Sequence, residues 1–326
     1  MGSVGAMGEE ALIERLARGL GAVQPPVEVG VGDDCAVLRL GDRTLLFATD
    51  TMVEGTHFTT DPTNPLTDLV AVGWRLGASN LSDLAAMGGR PLAAVISTAL
   101  PAEWPVTWVE QAYEGLRKVG DRHDLPICGG DVVRINGPAA LTLAVLGEVD
   151  GEPVLRSGGR PGDLIAVTGD LGASRACLRG VHDGSESRVA LLRRGLWPMP
   201  RLEWGQALRG SASAMMDLSD GLATDLPRLA RASGVGVVVR EANLPVSDAL
   251  VTVCGSREAA QREALIGGED YELLVTLPKG SPLPEVPLSV IGELTAAPSQ
   301  MEFVGANGEH RPLSEAGGWS HFGSAS

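Results

Sequence analysis

The chain has 326 residues, is 44% hydrophobic and 21% charged, and carries a formal net charge of −15. At roughly 150 residues per domain, this predicts two globular domains. The acidic excess argues against partners that present nucleic-acid phosphates or anionic lipid, and no apolar run reaches the roughly 18 residues of a membrane span. The first twenty residues lack the basic start and apolar core of a secretory leader. Cys35, Cys128, Cys177 and Cys254 lie far apart, without zinc spacing. They read as reduced structural thiols in a cytoplasmic protein. Lysine occurs only as Lys118 and Lys279, neither in a GxxxxGK[ST] loop, so a P-loop nucleotide enzyme is ruled out.

Residues 9–20 predict a short amphipathic helix. VEVGVGDDCAVLRLG alternates apolar and polar residues around a Gly-Asp-Asp turn. RTLLFATDTMVEGTHF reads as a strand ending near Thr49 and Asp50. From Thr67 to about Met87 the spacing is helical, with Thr67 as N-cap and Gly88-Gly89 as stop. PLAAVISTALP predicts a strand, 105–119 a helix, and LPICGG and AALTLAVLGEV two further strands. Near Asp150 the pattern starts again. RSGGRPGDLIAVTGDLG leads into a helix from Ala173, MMDLSDGLATDLPRLARASG gives strand, acidic turn and helix, GVGVVVREANLP a strand, and GGEDYELLVTLP a turn feeding a strand. The expectation is an α/β (α+β) protein of two domains, 1–149 and 150–326.

Aspartates recur beside Gly, Ser or Thr at the predicted element ends: Asp33-Asp34, Asp50, Asp83, Asp131, Asp217 and Asp220. Each alone fits a turn or helix cap. Together, on strands that converge in a sheet, their carboxylates would repel unless cations joined them. Magnesium, bound by carboxylates and substrate phosphates, is the natural partner. His57, Arg156, Glu269, Asp270 and the tail residues Trp319 and His321 are weaker candidates, each with an ordinary structural explanation. Tyr113 reads as core.

The segments GVGDDCAVL, ATDTMVEGTHF, ASNLSDLAAMGGRPLAAVISTALP, GGDVVR, RSGGRPGDLIAVTGDLG, MDLSDGLATDL, GGEDYELLVT and GGWSHF resemble, in order, those of thiamine-monophosphate kinases. That family belongs to the superfamily named for aminoimidazole ribonucleotide synthetase. The resemblance runs from about residue 9 to 322. It implies transfer of the ATP γ-phosphate to thiamine monophosphate, and a homodimer in which the N-terminal sheets of two chains join. It implies several Mg²⁺ ions held by Asp34, Thr49, Asp50, Asp83, Asp131, Asp217 and Asp220, of which Asp50, Asp83 and Asp220 are the expected catalytic hubs. Nucleotide contacts would come from Tyr113, Gly130, Asp131, Arg156 and Ser219, and thiamine-side contacts from His57, Glu269 and Trp319. Two positions depart from the family pattern: Val132-Val133 follow GGD in place of threonines, and Trp319 stands where tyrosine is common.

Charge agrees with that expectation. A phosphate monoester, with a second pKa near 6, is already anionic at pH 7 and needs no general base. The barrier is repulsion between two anions, which a chain this acidic overcomes only with bound cations. Three alternatives remain open at this level: another ATP-using enzyme of the superfamily, a Mg²⁺-dependent phosphohydrolase, and a non-catalytic nucleotide-binding regulator.

Overall fold

The computed structural model describes residues 3–179, 185–283, 285–305 and 307–317. Two mixed sheets, each with helices packed on it, form a two-domain α/β fold. Helices α1 (Val4–Met7) and α2 (Glu9–Leu20) precede the first sheet. It contains β1 (Val27–Val29), β2 (Ala36–Leu40), β3 (Arg43–Val53), β4 (Arg90–Leu100), β5 (Ile127–Arg134) and β6 (Ala140–Val149), in the order β1-β2-β3-β6-β4-β5. Its helices are α3 (Leu69–Ala86) and α4 (Val106–His123). The pairing is antiparallel except between β4 and β5.

The second sheet is built from β7 (Leu164–Thr168), β8 (Ala214–Asp217), β9 (Gly236–Arg240), β10 (Leu273–Leu277), β11 (Leu288–Thr295), β12 (Met301–Val304) and β13 (His310–Pro312). Their order is β13-β12-β9-β11-β7-β10-β8. Around it lie α5 (Ala173–Arg179), α6 (Glu186–Leu196), α7 (Leu202–Leu208), α8 (Leu222–Ser233), α9 (Asp248–Cys254) and α10 (Arg257–Ile266).

Helix α3 is the central element. A helix that is apolar nearly all round must be covered on all sides, and almost every residue of α3 is buried. It starts at Asp68, whose Oδ1 accepts from the backbone N–H groups of Val70 and Ala71. Asp68, not Thr67, is therefore the N-cap. Against α4 the backbones nearly touch: a Cβ on Gly73 would lie 1.8 Å from the Ala112 carbonyl oxygen, and one on Gly115 1.8 Å from that of Val70. Only glycine permits that crossing. On its other sides α3 meets α7, β8 and β10, and Trp74 Nε1 donates to the Pro198 carbonyl at 2.7 Å. One apolar core thus runs from the first sheet across α3 to Met215, Leu273 and Val275 of the second. A separate core fills the far side of the second sheet.

Strand alternation splits the first sheet into two unlike faces. Leu46, Ala48 and Met52 of β3, with Ala94 and Ile96 of β4, are buried. The opposite face is open, with Phe47 49% and Val95 45% exposed. Cross-strand partners carry this face sideways: Thr51 pairs with Thr142, Thr142 with Ser97, and Ser97 with Asp131. Strand β3 continues three residues beyond Asp50, and Gly129, Gly130 and Asp131 lie within β5. The expectation that these acids end their strands is corrected on both counts.

Candidate active site

Three carboxylates meet where α3 faces the second sheet. Asp34 comes from the turn before β2, Asp83 from the last turn of α3, and Asp217 from the end of β8. Each contributes an oxygen, and these oxygens lie within 4.8 Å of one another. Such a group is unfavourable alone. Burial first, then Asp50, Asp217 and Asp34, push the Asp83 carboxyl well above the usual range. Burial first, then Asp34, does the same to Asp217. Two contacts offset the repulsion: Arg156 Nη2 reaches Asp34 Oδ1 at 2.6 Å, and Ser82 Oγ donates to Asp217 Oδ2 at 2.8 Å. Asp33 braces Arg156 by accepting from its backbone N–H at 3.1 Å. Burial and the neighbouring Asp34 charge raise the Asp33 carboxyl to about 6.

The donor set suits a hard divalent cation. It offers oxygens only, with no thiolate or imidazole among the three. The buried Asp34 Oδ2 also has no hydrogen-bond partner. An unpaired buried acceptor costs free energy that a cation would recover.

Beside the triad lies a cavity of about 330 Å³ lined by Asp50, His57, Arg75, Ser219, Asp220 and Glu269, among others. Asp50, from the buried face of β3, is raised by burial, with Asp220 and Glu269 adding and the Ser79 hydroxyl opposing. Asp220 accepts from Arg228 at 2.6 Å. Arg228 also reaches Asp225 at 2.9 Å and Glu10 of α2 at 3.4 Å. Asp225, rather than Asp220, organises the turn before α8, accepting from the backbone N–H groups of Ser219 and Asp220. Burial and Asp220 raise it to about 7. His57 Nδ1 accepts from the Val53 N–H at 3.0 Å. Glu269 and Tyr271 hold left-handed backbone, φ 61° and 51°. Strain at non-glycine residues clusters at functional sites.

The remaining candidates fall elsewhere. Tyr113, Gly130 and Asp131 line a second groove, between α4 and β5. Thr49 projects from the open face of the first sheet, its hydroxyl donating to the Leu143 carbonyl. Neither Thr49 nor Asp131 joins the carboxylate triad. Arg156 makes its ion pair with Asp34. Trp319 and His321 lie outside the described residues. Sequence reasoning missed Arg75, Ser79 and Ser82. A signal was present: with Asp83 they form a polar stripe along one side of an otherwise apolar helix.

Residues 32–149 match the family model "AIR synthase related protein, N-terminal domain", and residues 160–303 match its C-terminal counterpart. The thiamine-monophosphate kinase of Salmonella typhimurium is 39% identical over 92% of this chain and 94% of that protein. That of Escherichia coli K12 is 38% identical over 97% and 99%. A solved structure described as AaThiL complexed with AMPPCP and TMP superposes with a TM-score of 0.87 at 31% identity, covering 98% of this chain and 99% of that one. The hydrogenase maturation protein HypE of E. coli, at 20% identity and a TM-score of 0.62 over 93% and 96%, shares the fold alone.

Proposed function

Because the chain belongs to the thiamine-monophosphate kinase family, we propose that it transfers the γ-phosphoryl group of ATP to the phosphate of thiamine monophosphate, giving thiamine diphosphate. The observation that carries this reading is the carboxylate triad, drawn from both domains, beside a cavity lined by further acids. The solved relative described with AMPPCP and TMP supports ATP and thiamine monophosphate as the two substrates.

Asp34, Asp83 and Asp217 would hold Mg²⁺, with Asp50 and Asp220 completing the site towards the transferred group. When bound, Mg²⁺ supplies the positive charge that lets two phosphates approach. The chain's own task is positioning. Ser82 fixes one Asp217 oxygen. Arg156 holds Asp34 until nucleotide phosphate competes for the guanidinium. Ser219 would contact nucleotide, while His57, Glu269 and Trp319 would contact the acceptor. No residue is needed to remove a proton from the acceptor, which is already ionised at pH 7.

The open face of the first sheet supports the homodimer. Phe47 of β3 and Val95 of β4 are apolar and exposed on this face, and on the neighbouring edge strand β5 Val133 is 46% exposed. Exposed patches and unpaired edges of this kind are usually covered. A second copy there would cover Thr49, Gly130 and Asp131 and complete a nucleotide site with Tyr113. Residues 1–149 would then form the nucleotide and dimer domain, and residues 150–326 the domain that completes the site. Among the described residues no helix is long and apolar enough to cross a membrane; the net charge of −15 supports a reading without nucleic-acid partners.

The test is product analysis with Mg-ATP. Thiamine diphosphate should form from thiamine monophosphate, and none should form from unphosphorylated thiamine. Free phosphate released from ATP without acceptor would instead identify a phosphohydrolase.

A further inference from the structure

Two guanidiniums line the cavity beside Asp50 and Asp220. Arg175 is partly exposed and engages Glu263 at 3.1 Å. Arg75 differs. Its side chain is 2% exposed, yet its Nη2 donates to both Glu269 oxygens, at 2.7 and 2.5 Å. Its Nη1 donates to the His57 carbonyl at 2.8 Å. Its buried Nε has no hydrogen-bond partner.

An interior arginine is a poor device for stability, since apolar side chains of similar volume usually serve as well or better. Its geometry suggests another use. Glu269 sits on left-handed backbone and is held from three directions. Its N–H donates to the Ser219 carbonyl at 2.7 Å, its carbonyl accepts from Ser174 Oγ at 2.7 Å, and its carboxylate is gripped by Arg75. The same guanidinium fixes the backbone of His57. The helix that carries Arg75 also carries Ser79, Ser82 and Asp83 on one side.

We infer that Arg75 is the positioning residue of the acceptor site, holding Glu269 and His57 in register with the metal ligands of the same helix. This rests on the proposed function, which places the acceptor against Glu269 and His57. The planar guanidinium holds its two donors in a fixed relation, Nη2 on the Glu269 carboxylate and Nη1 on the His57 carbonyl, which lysine, a single point charge, does not.

The test compares Arg75→Met, Arg75→Lys and Glu269→Gln in the full-length protein, by steady-state kinetics with both substrates varied. Arg75→Met is expected to raise the KM for thiamine monophosphate about tenfold while the KM for ATP stays within about twofold. Arg75→Lys should give a smaller rise, about threefold. In a double variant combining Arg75→Met with Glu269→Gln, the acceptor KM should match the worse single variant rather than the product of the two effects. A merely structural arginine would shift both KM values together. An unchanged acceptor KM in Arg75→Met, with a raised one in Glu269→Gln, overturns the positioning role and leaves the acceptor site standing. An unchanged acceptor KM in both variants removes the acceptor from this cavity, and the inference falls with it. Should Arg75→Met fail to fold, Arg75→Lys decides: a selective rise supports the role, and parental values for both substrates overturn it.

Discussion

The two faces of the first sheet handle acidic groups in opposite ways. On the buried face, Asp50 looks towards α3, where Asp83 meets Asp34 and Asp217. There the chain provides the counter-contacts itself, through Arg156, Ser82 and Ser79. On the open face, Thr49 of the interior strand β3 and Asp131 of the edge strand β5 lie among exposed residues. The buried face brings together three carboxylates that could hold a cation, whereas under the proposed function the open face would become a site only when a second copy covers it.

The comparison breaks most readily on its buried side. Replacing Asp83 or Asp217 with Asn removes a carboxylate from the triad and should lower kcat at least about a hundredfold, comparable to losing one strong electrostatic group. Folding should survive, because burial already disfavours the charged form of both groups. Near-normal turnover in either variant would remove that residue from the reaction centre.

On the open side, Phe47→Glu places a charge in the apolar face. It should convert a dimer to a monomer in sedimentation, with circular dichroism unchanged because Phe47 is half exposed in the single chain. Asp131→Asn should raise the KM for ATP several-fold and change kcat less than the triad variants do. Equal loss of kcat in Asp131→Asn and Asp83→Asn would erase the distinction between the faces.

How much of this was legible from sequence follows the same division. The order of strands and helices around the first sheet, the bounds of α2 and the start of α5 were readable, because glycine, proline and apolar periodicity mark them, whereas α6, α7, α9, α10 and β11 to β13 were not. That Asp50 and Thr49 lie on opposite faces follows from strand alternation once β3 is known to run to Val53. The strand was read as ending near Asp50, so the consequence was missed. Arg75 was invisible for a different reason. Its partner Glu269 is 194 residues away, and no local pattern reports an ion pair between domains. Asp68 displaced Thr67 as helix cap because both residue types suit the position, and backbone direction decides between them.

A smaller effect sharpens the picture of the second domain. Asp270 accepts from the backbone N–H groups of Gly172 and Ser174, and burial raises its carboxyl to about 7. A group raised in the folded state stabilises the fold below its ordinary value near 3.8. That contribution is lost as pH rises through about 7. Thermal stability should therefore fall between about pH 4 and about pH 7 and level off above, and Asp270→Asn, which cannot ionise, should flatten that fall. An identical pH profile in the variant would deny Asp270 this role. The smallest effect is expected at Glu10, which meets Arg228 and Arg231 at the surface. Glu10→Gln should change kcat by less than about threefold, since exposed ion pairs contribute little.

The most direct test of the two-face account is calorimetric titration of Mg²⁺, in the presence of AMPPCP, into the parent protein and into Asp217→Asn, Asp83→Asn and Phe47→Glu. The account predicts that both Asn substitutions weaken Mg²⁺ binding at least about tenfold, the scale of losing one charged ligand. Phe47→Glu should retain Mg²⁺ binding at the triad while losing nucleotide affinity. Parental Mg²⁺ affinity in both Asn variants would contradict the account and move the reaction centre away from α3.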